Sequence, residues 1–483
     1  MENFAKKIVQ NKPVIRKIHI LKTLSESDKT ISSNLLANQL NCTNRTIIND
    51  ISQIKQELPI NWEIISVASK GYLLKKNPED TIKKIITPYL INSEIYTILK
   101  GLFNNKCYKL EKWAQLLYVD KLTLKKILQE FTKTIQHFKM NFNFRTLNLI
   151  GEELNIRYFY IIFFYTIQKY KEIINIHPYL QKKIEILLVT HEIELDLNLL
   201  TIIISVFVNR NINNHFITKK HHFRFQCSQN KFKCGKSIIL EIEEFYKIKF
   251  PKEEQEFFLQ SLFLISEGTG EEKTNVINYF CKFKKNMYNS YLSLLENISS
   301  LFHLDLHVKR QLQHDVYFQL YKLYTLKKYN LSIEYLIDEY KDLYESNPEF
   351  TNTYNIISTL IAACNKKLLE HTLNKDELYY ITVNILFHVH SNLQKKNALL
   401  LLSGPISWKK FIYNKLNNAL GNVLIIHPKC NNITKYEFII TNYNVTNVTK
   451  PVIQISDKIT QRDIENIKKW TYVNSAMYQE STV

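Results

Sequence analysis

The chain has few of the residues that interrupt regular structure, with only 8 glycines and 10 prolines among 483 residues. This scarcity predicts long regular elements, mostly helices, with few elaborate loops. The seven cysteines are odd in number and scattered, which excludes a disulfide framework and suits a reducing compartment. The longest apolar runs, residues 158–167 and 199–208, fall short of the ~18 residues of a membrane span, and no secretion signal begins the chain. We therefore expect a cytoplasmic protein without membrane contact.

The length favours about three to five domains. Hydrophobic residues make up 45% and charged residues 23%, an ordinary globular balance. The net charge is +19, and residues 1–150 hold 24 lysines and arginines against 12 acidic residues, so +12 of it lies there. Such a basic segment attracts polyanions and predicts a nucleic-acid partner. AT-rich coding also enriches lysine, so the charge needs a fold signature beside it.

That signature begins at residues 30–59, where apolar side chains recur at the three- and four-residue intervals of amphipathic helices. Two predicted helices meet at the polar turn of residues 41–44, where Thr43 or Asn44 can cap the second helix. Pro59 can end that second helix, because a helix interior does not tolerate proline.

Two strands are predicted to follow, Trp62–Val67 and Tyr72–Lys75. Gly71 lies in the turn between them and can take the positive φ that such a turn often requires. A helix pair followed by a basic hairpin is the layout of a winged helix-turn-helix.

The pattern recurs at a constant offset of 77 residues, and a second apparent hairpin, Phe138–Phe144 with Thr146–Ile150, follows where the wing belongs. Each matched pair keeps its size class while the surface residues differ, as two copies of one fold reading different nucleic-acid stretches would. The pairs are Ala37 with Ala114, Leu40 with Leu117, Cys42 with Val119, Thr46 with Thr123, Ile47 with Leu124, Ile51 with Leu128 and Ile54 with Phe131.

Both second helices are predicted to lie in a major groove of double-stranded DNA. Arg45 and Asn49 have the chemistry for guanine and adenine edges, whereas the lysines of the second unit suit phosphate better. The alternative is a protein-docking module with a solvated basic face. The predicted DNA-binding residues are Thr43, Asn44, Arg45, Thr46, Asn49 and Lys70 in the first unit, and Lys121, Thr123, Lys125 and Lys126 in the second.

Residues 34–74 resemble the first helix-turn-helix of Mga- and AtxA-type virulence regulators. Residues 110–131 and 144–159 resemble the second, and residues 451–470 resemble the closing segment of that family. Within the family the likeness is strongest to the AcpA/AcpB type, activators of capsule-biosynthesis genes. The resemblance implies two PTS-regulation domains, a C-terminal domain shaped like the IIB component of a sugar phosphotransferase system, and a cytoplasmic homodimer.

Residues 158–395 show helical spacing throughout, and two bundles fit there, as the resemblance implies. Phosphotransfer to histidine tunes activity in the related domains, but the matching positions hold Asn198 and Asn384, which cannot accept a phosphoryl group. His314 matches a leading histidine and is the candidate acceptor from a phosphocarrier. Its alternative is a partly buried helix histidine without a switching role. His388 and His390 are weaker substitutes.

After residue 397, short apolar runs alternate with helical patterns, which predicts a small α/β domain with a mainly parallel sheet. The loop Ser403–Trp408 holds neither a GK[ST] motif nor the cysteine that carries phosphate in IIB enzymes, and Cys430 comes after the next run. We expect a retained fold without transfer chemistry, reused for dimerisation.

A group of potential metal ligands lies within fourteen residues, but its spacing matches no zinc pattern, so no metal or other cofactor is expected. A basic connecting loop with Lys219, Lys220 and Arg224 is the better interpretation. The group consists of His221, His222, Cys227 and Cys234.

Together these features predict a mainly α multidomain protein with two winged helix-turn-helix units, two helical PTS-regulation-like bundles and a C-terminal α/β IIB-like domain. The expected function is that of a dimeric DNA-binding activator of virulence genes and not an enzyme. The alternatives are an RNA-binding antiterminator with the same middle domains and a phosphotransferase-system protein. The expected domains are residues 1–77, 78–160, 161–275, 276–393 and 394–483.

Overall fold

The computed structural model describes residues 3–217, 228–334, 337, 348–368, 372–392, 395–421, 423–428, 436–445, 448–456 and 458–477. His221, His222, Cys227, Cys430 and the basic residues 219, 220 and 224 lie outside these ranges. The chain forms two compact units. The first compact unit holds residues 1–275 and 321–339, and the second compact unit holds residues 276–320 and 340–483. The division into five domains stays a prediction.

The fold is mainly helical, with two small hairpins near the N-terminus and one parallel sheet near the C-terminus, as the composition predicts. In chain order the elements up to residue 265 are α1 (Asn3–Val9), α2 (Lys12–Ser25), α3 (Ser33–Gln39), α4 (Asn44–Glu57), β1 (Glu63–Val67), β2 (Gly71–Lys75), α5 (Lys83–Ile91), α6 (Glu94–Phe103), α7 (Leu110–Leu117), α8 (Lys121–Gln136), β3 (Asn141–Asn143), β4 (Asn148–Ile150), α9 (Glu153–Gln168), α10 (Pro178–Thr190), α11 (Leu197–Ile212), α12 (Gln229–Tyr246) and α13 (Lys252–Ile265). The elements after residue 265 are α14 (Gly270–Phe283), α15 (Lys285–Leu301), α16 (Leu306–Lys328), α17 (Pro348–Lys367), α18 (Lys375–Ser391), β5 (Lys396–Leu401), α19 (Ile406–Leu420), β6 (Leu424–His427), β7 (Phe438–Thr441), β8 (Val452–Gln454) and α20 (Gln461–Met477).

The first winged helix-turn-helix consists of α2, α3, α4 and the hairpin β1–β2. Its core combines side chains of all three helices with Trp62 and Ile64 from the wing. Ile31 exchanges backbone hydrogen bonds with Tyr72, which ties the wing to the start of α3. Gly71 has a φ of +115°, and a Cβ there would lie 2.1 Å from the Ile31 carbonyl oxygen. The prediction that Gly71 takes a positive φ is confirmed, and the close approach to Ile31 explains why a side chain does not fit.

The second winged helix-turn-helix consists of α6, α7, α8 and the hairpin β3–β4. Its strands are shorter than the sequence predicts, because Phe138, Met140 and Leu147 turn into the core and are almost fully buried. Helix α1, for which no element was predicted, packs against α6 and α8 of this second winged helix-turn-helix and also contacts α2 of the first. The Phe4 ring lies 6.2 Å from that of Phe138 and 6.1 Å from that of Phe159.

Only two residues separate β4 from helix α9, which leads into the helical part of the first compact unit. Thirteen of its sixteen residues are buried, Phe159 and Phe163 among them. Helix α11 packs against α9, and α13 packs against α11. A helix that is apolar on nearly every side in this way is the centre of a bundle rather than a surface element.

One charged network holds this centre together. The guanidinium of Arg157 on α9 is fully buried and forms two hydrogen bonds with the carboxylate of Glu254 on α13, which is also fully buried. Arg157 also donates to Glu153 Oε1 at 3.0 Å and to the His215 carbonyl at 2.8 Å, and it lies over the Phe207 ring. Arg210 on α11 binds the same Glu153 carboxylate at 2.7 Å. The first turn after the second wing is thereby fixed to α11 and α13.

A second buried charge lies on the part of α16 that belongs to the first compact unit. Lys322 is 8% exposed and donates to the Ser266 carbonyl at 3.0 Å. Burial lowers the pKa of Lys322 from 10.5 to about 8. Nearby, Lys231 and Glu272 form an ion pair of 2.7 Å in which both side chains are buried.

The second compact unit contains helices α15, α17 and α18 and the C-terminal sheet. All three strand pairings of this sheet are parallel, in the order β6-β5-β7-β8. Helices α19 and α20 cover one face, where Ile412, Leu416 and Ile467 pack on Phe438 and Ile440. The predicted parallel α/β arrangement is confirmed; its likeness to a IIB component stays a prediction.

None of the helices in the described part of the chain combines the length and apolarity that a membrane crossing requires.

We expect Arg157→Met to destabilise the first compact unit by about 3–5 kcal/mol, because Glu254 would keep a buried charge without its partner. Urea unfolding followed by hydrogen exchange of α9 measures the effect. The double variant Arg157→Met/Glu254→Met should cost less than the two single changes combined. Arg310→Met, at an exposed arginine, is the matched control. An equal loss of stability in both variants would contradict a stabilising role of the buried ion pair.

We also expect the first compact unit to become more stable as the pH rises from 8 to 9. In this range the folded state binds fewer protons than the unfolded state, since the pKa of Lys322 falls from 10.5 to about 8 on folding. Stability should therefore rise with pH by at most about 1.4 kcal/mol per pH unit. The measurement is the pH dependence of urea unfolding, wild type minus Lys322→Met, since the subtraction cancels other titrating groups. A difference that stays constant or falls with pH would refute this interpretation.

Candidate nucleic-acid interface

Helices α3 and α4 form the first helix-turn-helix, and each begins at a capping side chain. The Ser32 hydroxyl accepts from the Leu35 amide at 3.2 Å, and the Thr43 hydroxyl accepts from the Thr46 amide at 3.2 Å. Of the two predicted caps of α4, the structure therefore has Thr43. The helix ends at Glu57, two residues before Pro59.

The two turns have the same geometry. The Cys42 amide donates to the Ala37 carbonyl at 3.1 Å, and 77 residues later the Val119 amide donates to the Ala114 carbonyl at 3.0 Å. The residue before each donor is left-handed, with a φ of 48° at Asn41 and 54° at Tyr118. The residue after each donor caps the second helix, Thr43 in one unit and Asp120 in the other. The repeat that the sequence indicates is thus present in the backbone.

The predicted base-reading side chains lie on the open face of α4. Arg45 and Asn49 are exposed and lie four residues apart, hence on one side of the helix. Neither forms a hydrogen bond or ion pair with another residue of the described ranges. Thr43 and Asn44 are exposed at the start of the helix, while Thr46 is half-buried and its hydroxyl bonds that of Thr43 at 2.8 Å.

The wing carries its predicted lysine at the tip. Lys70 is exposed in the turn between β1 and β2, and its backbone amide donates to the Val67 carbonyl at 3.1 Å. The ammonium group on this turn is therefore available to a phosphate.

Two ion pairs that the sequence analysis did not find hold α4 in place. Arg16 on α2 forms a bidentate pair with the buried Asp50 on α4, one bond being 3.0 Å long, and this pairing raises the pKa of Arg16. Lys17 on α2 bonds Glu57 at the end of α4 at 2.8 Å. Asp50 falls on the core face of α4, so a charge at an otherwise apolar position was the available signal.

The second unit offers a weaker cationic face than its sequence suggests. Lys121 forms an ion pair of 2.6 Å with Glu111 on α7, and both side chains are more than half exposed. Asp120 caps α8, and hydrogen bonds from backbone amides, first that of Thr123, lower the pKa of its carboxyl. Thr123, Lys125 and Lys126 are exposed. Lysines 125 and 126 are therefore the cations near the start of α8 that are most available to phosphate.

The candidate phosphoacceptor positions differ in their surroundings. Asn198 is exposed near the start of α11, while the Asn384 amide donates to the Tyr380 carbonyl at 2.7 Å on α18. His314 is half-buried on α16. His388 on α18 is held by Asp315, whose carboxylate lies 3.4 Å from its Nδ1.

The C-terminal loop is held by a reciprocal pair of bonds. The Ser403 amide donates to Asn442 Oδ1 at 2.8 Å, and the Asn442 amide donates to the Ser403 carbonyl at 3.1 Å. In the described ranges no three potential ligands cluster as a metal site would require. Cys234 is buried on α12, where burial raises the pKa of its thiol to about 11.

Two segments match described protein domains. Residues 78–164 match the Mga helix-turn-helix domain, and residues 16–73 match an HTH domain. The chain is 22% identical to the capsule synthesis positive regulator AcpA of Bacillus anthracis, over 94% of this chain and 98% of that protein. It is 20% identical to AcpB of the same organism, over 95% and 98% of the two chains. Identity to the anthrax toxin expression trans-acting positive regulator of that organism is 22%, over 94% and 97%. These matches support helix-turn-helix domains in both N-terminal segments and a likeness to Mga/AtxA-type regulators over nearly the whole chain.

We expect Lys125→Ala and Lys126→Ala each to weaken binding to duplex DNA uniformly across sequences. Each change should lower the slope of log K against log salt by about 0.9, the value for one phosphate contact. Lys121→Ala should change the slope less, because Lys121 already balances Glu111. Fluorescence anisotropy over a salt series measures the slope, with Lys410→Ala on α19 as the control. Equal effects of all four substitutions would contradict the proposed contacts.

Proposed function

We propose that this chain is a DNA-binding transcriptional activator of virulence genes, with capsule-biosynthesis genes as targets, that acts as a cytoplasmic homodimer. The observation that carries the proposal is the duplicated helix-turn-helix, because two copies repeat the same turn, cap and wing at one offset. The similar proteins are named as positive regulators of capsule synthesis and of toxin expression. Their names support activation and a regulatory role rather than an enzymatic one.

The first unit is proposed to read bases. The Arg45 guanidinium suits the two acceptors of guanine, and the Asn49 amide suits adenine. Thr43, Asn44 and Thr46 lie at the start of the same helix. Lys70 in the wing is proposed to bind the flanking backbone. The ion pair between Arg16 and Asp50 supports this arrangement, because it fixes α4 against the rest of its unit.

The second unit is proposed mainly to position the protein. Lys125 and Lys126 supply phosphate contacts, with Lys121 and Thr123 beside them at the start of α8. Phosphate contacts fix register on the duplex without carrying sequence information.

Dimerisation is proposed to involve the C-terminal part. Strands β6 and β8 lie at the two edges of the described sheet, and Ile425 on β6 is 45% exposed. An edge strand with an exposed apolar side chain is suited to pairing with another chain. Control by a phosphotransferase-system phosphocarrier would act at His314, since Asn198 and Asn384 are not acceptors.

The central experiment compares promoter binding by the wild type, Arg45→Ala and Asn49→Ala. The promoter fragments come from chromatin immunoprecipitation in the source organism. We expect each change to cost about 1–3 kcal/mol of binding free energy and to relax the preference at one base pair. Electrophoretic mobility shifts at fixed salt provide the affinities.

Arg462→Ala, an exposed arginine of α20, is the control and should bind like the wild type. If both variants of α4 retain full affinity while their fold is intact, the first unit is not the reader. Tighter binding of hairpin RNA than of duplex DNA would favour the antiterminator instead.

A further inference from the structure

At two aligned positions the second helix-turn-helix exposes an apolar side chain where the first exposes a polar one. At the offset of 77 residues, Leu122 on α8 takes the position of Arg45 on α4, and its side chain is 67% exposed. Tyr118 takes the position of Asn41 in the turn and is 97% exposed. The two aligned faces therefore carry different chemistry on the same backbone.

These side chains do not serve the core of their own unit. Helix α8 packs inward through Leu124, Leu128 and Phe131, each of which is fully buried. Leu122 lies two residues before Leu124, on the open side of the helix with Lys125 and Lys126. An exposed leucine alone is ordinary, but here it lies at the aligned position of the base-reading arginine.

The two charged residues just before Leu122 are already engaged within the chain. The Asp120 carboxylate accepts the amides of Leu122 and Thr123 at 2.9 and 3.0 Å. The Lys121 ammonium lies 2.6 Å from Glu111. The first turn of α8 thus offers an apolar side chain rather than an unengaged charge, which disfavours the guanine contact that Arg45 can make.

We propose that Leu122, together with Tyr118 in the turn before α8, recognises thymine in the major groove through the C5-methyl group of that base. On the major-groove edges of the four bases that methyl is the apolar feature, so an apolar side chain distinguishes thymine. Lys125 and Lys126 follow Leu122 on α8 and supply the phosphate contacts that hold the helix in the groove. The inference rests on the proposed DNA-binding function and deepens it: the second unit specifies A·T pairs by apolar contact.

The test uses the full chain and duplexes that it selects from a random-sequence pool. Each thymine of a selected duplex is replaced in turn by uracil, which differs from thymine only by the missing methyl. We expect one or two positions at which uracil weakens wild-type binding about fourfold, the effect of one buried methyl group. Leu122→Ala should bind the thymine and uracil versions of those positions alike.

Two variants serve as controls. Leu240→Ala changes a leucine of similar exposure, 62%, on α12 outside both helix-turn-helix units, and it should keep the full sensitivity to uracil. Arg45→Ala should bind every duplex more weakly yet keep the same uracil-sensitive positions, because those positions belong to α8. Circular dichroism establishes that each variant is folded before its affinities are compared.

Three results would overturn the inference. Uracil at every position could leave wild-type binding unchanged, or Leu122→Ala could keep the sensitivity of the wild type. Leu122→Ala could also bind all duplexes normally but lose activation in a transcription assay, in which case the apolar face docks a protein. Failure to select any duplex would instead contradict the DNA-binding function itself, which separates the two claims.

Discussion

The buried pairing of Arg157 with Glu254 is the interaction on which the first compact unit depends. A guanidinium without solvent contact is stable only if its hydrogen bonds are satisfied, and Arg157 meets Glu254, Glu153 and the His215 carbonyl. Because only two residues separate β4 from α9, this network also fixes the second wing to α11 and α13. Any movement of the bundle around α9 must therefore either carry the wing along or break a buried charge pair.

The geometry of the turn explains why the two helix-turn-helix units can differ in chemistry while they share a backbone. Their turns are fixed by one hydrogen bond, one left-handed residue and one capping side chain, which belong to the scaffold. The side chains at positions 45 and 122 are exposed and contribute to neither core. In the first helix-turn-helix the pair of Arg16 and Asp50 holds a face on which Ile48 is exposed between Arg45 and Asn49, and in the second the scaffold holds a face of Leu122 and two lysines.

Much of the fold could be predicted from the sequence, and the failures have identifiable causes. The periodic apolar pattern placed α3, α4, α7 and α8 closely, because those helices pack one face on a core and leave the other in water. Strands β3 and β4 are shorter than predicted, since Phe138 and Met140 contribute to a core rather than to a pleated hairpin. Local periodicity also gave no indication that α1 packs on the second unit, because that contact joins residues far apart in the chain.

The sequence alone determined the repeat, the position of the wings and the residue types on the two recognition helices, because these follow from local spacing and from the conformations that single residues permit. The tertiary structure decided which of those side chains are available. It paired Lys121 with Glu111, fixed α4 through Arg16 and Asp50, and left Arg45, Asn49 and Leu122 exposed. Partners such as these lie on different helices, and packing rather than sequence spacing brings them within hydrogen-bond distance.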